Sequence, residues 1–134
     1  MVTRNIQMTY SGGTVSPIQR TIENKGQSNF GIDTICAAGP GTTTFSPALI
    51  FDPDTNVRCF AMVASGNCTV QCDLTSGTDT SITLSANVPE IQTETAGGTI
   101  ALLPTPSGND TLTFKVHNPN AETITFTMDM LIEQ

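Results

Sequence analysis

From Val57 to Leu74 the side chains alternate at every second position, a period that suits a β-strand and excludes an amphipathic helix. Val57, Cys59, Ala61 and Val63 alternate with Arg58, Phe60, Met62 and Ala64. Ser65-Gly66-Asn67 then interrupts, after which Cys68, Val70, Cys72 and Leu74 alternate with Thr69, Gln71 and Asp73. The pattern predicts a β-hairpin. With a two-residue loop at Ser65-Gly66, Val63 faces Cys68, Ala61 faces Val70 and Cys59 faces Cys72. With the loop at Gly66-Asn67, Cys59 faces Leu74 instead. Either register lines one face with small apolar groups and, over the second strand, lines the other with polar ones, as in a sheet packed on a core.

The same period recurs along the chain. Ile6, Met8 and Tyr10 alternate in an N-terminal arm or first strand over residues 1–10. Val15 to Asn24 follows, with Pro17 placing it at an edge or an entry point. Asn24 to Ser28 reads as a turn, Phe30 to Cys36 as extended, and Ala37-Ala38-Gly39-Pro40-Gly41 as a loop. Thr42 to Phe51 is a β-branched run broken by Pro47. Ile82, Leu84, Ala86 and Val88 predict a strand closed by Pro89, and Ile91 to Ala96 a short edge strand. Thr99 to Leu103 follows Gly97-Gly98, and Pro104 to Asp110 reads as a long loop. Leu112, Phe114 and Val116 form another strand, with His117 to Ala121 as its exit turn. The last segment carries Ile124, Met128 and Leu131 at helical spacing. Five apolar residues in strict alternation (Ile124, Phe126, Met128, Met130, Ile132) with Thr between them favour a strand. About eight to ten strands result, expected in one all-β antiparallel sandwich or jelly-roll-like domain spanning residues 1–134.

The chain has 134 residues, enough for one core that buries roughly two-thirds of the unfolded surface. Charged residues make up only 13%, against roughly 25% in an ordinary soluble domain. The surface must therefore be Thr, Ser, Asn, Gln and Gly, or be covered by other chains. A net charge of −7 repels phosphate backbones and anionic membrane surfaces, so direct contact with nucleic acid or membrane is not expected. No apolar run marks a secretory signal or a membrane-spanning helix. The expectation is a soluble product of a reducing cytoplasm, with Cys36, Cys59, Cys68 and Cys72 as buried thiols.

Chemistry-bearing patterns are sparse. Asp52-Pro53-Asp54-Thr55-Asn56 copies the opening of a calcium loop, but Val57 stands where the sharp-turn glycine belongs and Val63 where the bidentate glutamate belongs. Cys59, Cys68 and Cys72 lack the doubled C-x₂₋₄-C spacing of structural zinc, so core packing is the better reading. A Cys59–Cys72 disulfide is conceivable in the first hairpin register, but the compartment argues against it. His117 is the sole histidine, and no nucleophile elbow or phosphate loop accompanies it. Glu90 and Glu94 have little aromatic surface to stack a sugar against. Asn67-Cys68-Thr69 and Asn109-Asp110-Thr111 match the glycosylation pattern and, without a secretory signal, should go unused. Enzymatic activity is not expected, and no catalytic, cofactor-binding or metal-ligating residue is assigned.

The Thr-rich alternation, the arm Met1 to Tyr10, the tip loop Pro104 to Asp110 and the long last strand Glu122 to Gln134 resemble the β-sandwich accessory proteins that decorate or cement tailed-phage capsids. That resemblance implies a non-enzymatic virion protein, made in the host cytoplasm. Its implied partners are further copies of itself, a trimer being one such form, and a major capsid protein. Two other readings stand beside it: a carbohydrate- or protein-binding module at a fibre tip or in an adhesin, and a jelly-roll shell subunit. The shell reading is disfavoured by the short, acidic chain.

Overall fold

The computed structural model describes residues 2–10, 18–26, 28–46, 50–51, 56–75, 79–93 and 108–133, and every regular element among them is a strand. In chain order these are β1 (Val2–Tyr10), β2 (Ile18–Gly26), β3 (Ser28–Cys36), β4 (Gly41–Phe45), β5 (Ile50–Phe51), β6 (Asn56–Ala64), β7 (Cys68–Leu74), β8 (Thr80–Leu84), β9 (Glu90–Thr93), β10 (Asp110–Asn118) and β11 (Ile124–Glu133). Among the described residues β1 and β2 pair only with each other. The rest form two antiparallel sheets packed as a sandwich: sheet I in the order β4-β10-β7-β8, with β5 also on β10, and sheet II in the order β3-β11-β6-β9. The all-β sandwich expected from the alternation is the fold observed.

The path between the sheets follows from register. β7 pairs with β8 and β6 with β9, and moving back from Cys68 to Cys59 or forward from Leu84 to Thr93 covers the same length of chain. The two pairs are therefore one antiparallel ribbon that turns a corner from sheet I into sheet II without slipping. β4 with β10 and β3 with β11 continue it, with a one-residue difference in length at their corner. Rolling this ribbon brings β10 against β7 and β11 against β6, which closes each sheet.

The core lies between the sheets, where alternate residues meet. Sheet I contributes Cys68, Val70, Cys72, Leu74, Leu84, Leu112, Phe114 and Val116. Sheet II contributes Cys36, Val57, Phe60, Met62, Ala64, Ile124, Phe126, Met128, Met130 and Ile132. Phe45 joins the layers, its ring centroid 5.4 Å from Phe114 in its own sheet and 5.8 Å from Phe126 in the other, within the range at which aromatic pairs attract.

Val57 to Leu74 is not a hairpin: β6 and β7 lie in different sheets, and Ser65-Gly66-Asn67 is the corner between them. Neither predicted register exists, and Cys59 pairs with Leu131 and Thr93 instead. The inward side of β6 is Phe60, Met62 and Ala64, with Cys59, Ala61 and Val63 on the other face. A register shift at Leu131/Ile132 returns Val57 to the core. The strand from Ile82 stops at Leu84, because Asn87 takes a positive φ of 59° in the next corner, a conformation asparagine tolerates better than most residues. Ala86 and Val88 are consequently exposed. His117 belongs to β10 and not to its exit turn. Asp52 to Thr55, Thr99 to Leu103 and Pro104 to Ser107 lie outside the described residues.

Candidate interaction surfaces

Four corners meet at one end of the sandwich: 37–40, 65–67, 85–89 and 119–123. Asn118, 1% exposed, ties them together. Its amide donates to Ala37 O and Glu122 O, each at 2.8 Å, and its Oδ1 accepts from Asn120 N at 2.9 Å and Asn120 Nδ2 at 2.6 Å. Asn120 Nδ2 also donates to Asn67 O, Gly39 N donates to Asn120 O, and Ala86 N donates to Asn67 Oδ1. A methyl group at Gly39 would overlap the Asn118 carbonyl oxygen, and one at Gly66 would lie 2.6 Å from Ile124 Cγ2. The end is thus closed by its own polar groups, and Asn67 of the first glycosylation pattern is engaged in that closure. The pattern's hint was the Asn118-Pro119-Asn120 sequence, read above only as a turn.

The outer face of sheet I is polar because β7 and β10 alternate. Thr69, Gln71 and Asp73 stand beside Thr113, Lys115 and His117. The Nδ1 of His117 lies 2.9 Å from Thr42 Oγ1 and its Nε2 3.2 Å from Gln71 Oε1. Because the Gln71 amide nitrogen is given to Asp79, the Gln71 Oε1 accepts from the Nε2–H of His117, and Nδ1 meets the Thr42 hydroxyl. Gln71 in turn donates to Asp79 at 3.2 Å. Lys115 and Asp73 form an ion pair. Burial alone would push the Asp73 carboxyl up, but hydrogen bonds from Lys115 and Gln71 together with the Lys115 charge outweigh it and hold the carboxyl below its usual range. The Lys115 ammonium is raised correspondingly by the same pair. Through its two imidazole nitrogens His117 links β10 to β4 and to β7.

All four cysteines are buried thiols outside any disulfide. Cys36, Cys68 and Cys72 belong to the core cluster. Burial pushes Cys72 up to about 12, against a smaller lowering by a hydrogen bond with Thr80. It pushes Cys68 up to about 11, with the nearby Cys36 adding to the rise. Such thiols are poor nucleophiles. Cys59 faces away from Cys72 across sheet II, so the conceivable Cys59–Cys72 disulfide is ruled out by geometry. Among the described residues no three His, Cys, Asp or Glu side chains converge to hold a metal ion. The calcium-like Asp52-Pro53-Asp54-Thr55 falls outside them, and so do Glu94 and its relation to Glu90.

The outer face of sheet II is mixed. Gly31, Asp33 and Ile35 of β3 lie beside Asp129, Thr127 and Thr125 of β11, then Ala61 and Val63 of β6, with Ile91 on β9. Ile35 is 68% exposed and Ile91 36%. At one end of this face Leu131 and Cys59 are paired, outward in the alternation, and yet buried. Sequence reasoning missed Leu131, although Met130-Leu131-Ile132 breaks the alternation with three apolar residues in a row.

No protein-family model matches this chain, and neither a curated protein nor a solved structure matches it.

Proposed function

We propose that this chain is a non-enzymatic structural protein of a virus particle, a subunit that decorates or cements a capsid shell through sheet-mediated contacts. The observation that carries this reading is edge strand β3. It is nine residues long and lies at the margin of sheet II, and among the described residues no strand pairs with its outer side. Open edges of this length offer a row of backbone donors and acceptors to a neighbouring sheet, and natural proteins ordinarily blunt them. Here Ile35 adds exposed apolar surface beside that edge. Three further features support the reading. The strand order of the two sheets is that of a jelly roll, an architecture used by viral shells and lectins. The outer face of sheet I is largely Thr and Gln, and its charged residues Asp73 and Lys115 are paired with each other. The histidine and thiols are committed to packing and strand linkage.

The same strand order favours one second reading, a jelly-roll subunit of the shell itself. Electron microscopy of the purified protein separates the two, since a shell subunit closes into particles alone and a decorating subunit does not. The direct test is mass spectrometry and immuno-electron microscopy of particles from cells that make this chain. Expected is surface labelling, with Ile35→Lys weakening attachment about tenfold, the loss of one buried apolar anchor, while leaving the strand spectrum unchanged. Particles lacking the chain, or selective sugar binding by a monomer on a glycan array, overturn the proposal.

A further inference from the structure

β1 and β2 form a two-stranded hairpin that joins neither sheet. Two strands alone are at best marginally stable in water, so this pair must bury a face against something. β2 approaches β11 and β6, the two central strands of sheet II. The inner side of those strands is filled by the core. Their outward residues Leu131 and Cys59 face each other across the strands, 0% and 5% exposed, and stand outside the core cluster. Buried outward residues need a cover from outside the sandwich, and among the described residues the hairpin is the element that lies outside both sheets. Beyond them the same face continues through Ala61 and Ile91, which are only partly covered.

From this geometry we infer that the outer face of sheet II is the seat of the β1–β2 hairpin, and that copies of this chain join by exchanging hairpins, each covering Leu131 and Cys59 of the next. Three features make exchange feasible. The hairpin is joined to the sandwich by one residue, Gln27, between Gly26 and Ser28. It enters at β3, the margin of the sheet whose face it covers. Every copy presents an identical seat, so the swapped contact repeats the one each chain makes with itself, and reciprocal exchange closes a symmetric oligomer. The inference rests on the reading of this chain as an assembling structural protein, but its test uses pure protein with no particle present. Failure of exchange leaves particle attachment standing, and absence from particles leaves exchange standing.

The test is a complementation between two full-length variants. Thr21→Pro with Ile22→Pro breaks the hairpin whichever of the two residues donates to β1, because neighbouring residues donate to opposite sides of a strand. Cys59→Asp leaves the hairpin intact and places a charge in the seat. Native mass spectrometry of the wild-type chain should show a closed oligomer, and each variant alone a monomer. In the proline variant Cys59 should react with a thiol reagent about a hundredfold faster than Cys36, Cys68 and Cys72, whose protection shows that the sandwich is folded. Mixing the variants should give a one-to-one heterodimer and restore the protection of Cys59. If mixing leaves both monomeric and Cys59 reactive, each hairpin seats only on its own sheet and exchange is overturned. A wild-type chain that is monomeric at high concentration overturns it with no variant needed, and a Cys59 still protected in the folded proline variant overturns the hairpin as its cover.

Discussion

Individual side chains here are set by what they face across the sandwich, and their titration reports it. Cys72 holds its proton to about 12 and Cys68 to about 11, while the same thiols in the unfolded chain ionise near 9.0. Above pH 9 the unfolded state therefore binds fewer protons than the folded one, and stability falls as pH rises. Each thiol contributes a slope approaching about 1.4 kcal/mol per pH unit. Urea midpoints should drop steadily from pH 9 to 11, and Cys72→Val should remove one thiol's share of that slope. The Asp73–Lys115 pair acts at both extremes. Asp73 is held below 3.8, so its share of stability is present above that value and lost as acid protonates it. Lys115 is raised above 10.5, so its share is intact below that value and lost at higher pH. At this scale the inward residues of β7, β10 and β11 were legible from alternation alone. His117 was not, since its partners Thr42 and Gln71 lie on two other strands.

Among the elements, corners matter as much as strands. At Asn118 one buried amide holds the corners 37–40 and 119–123 together, and Asn120 extends the link to Asn67. Asn118→Ala removes the donor to Ala37 O and Glu122 O and the acceptor of Asn120 N at a part-buried corner, an expected cost of about 2 kcal/mol at about 0.5–1.5 kcal/mol for each hydrogen bond. Urea unfolding of the variant checks this, and a change below about 0.5 kcal/mol would mean that water takes over the role. The corner also explains why Val57 to Leu74 misleads. Ser-Gly-Asn suits a hairpin and a sheet-to-sheet corner equally, since both need a tight change of direction. β6 gives no correction, because Phe60, Met62 and Ala64 are as apolar as Cys59, Ala61 and Val63. A strand that is apolar on both sides does not announce which side faces the core.

For the whole molecule, the rolled ribbon makes most pairings distant in sequence, among them β3 with β11, β4 with β10 and β6 with β9. Loop-closure entropy must then be overcome before most contacts form. Folding is expected in milliseconds to seconds, and stopped-flow refolding measures it; a complete microsecond transition would contradict the topology. By itself the sequence determined that the fold is an all-β sandwich, where most of its strands lie, and which residues of β7, β10 and β11 point inward, because a two-residue period is a property of the local backbone. Only the tertiary structure decided that β6 and β7 part company, that Cys59 and Leu131 face outward under cover, and that one hairpin stands apart from both sheets. Those outcomes depend on which distant strands bury the most surface together, a quantity no short stretch of chain contains.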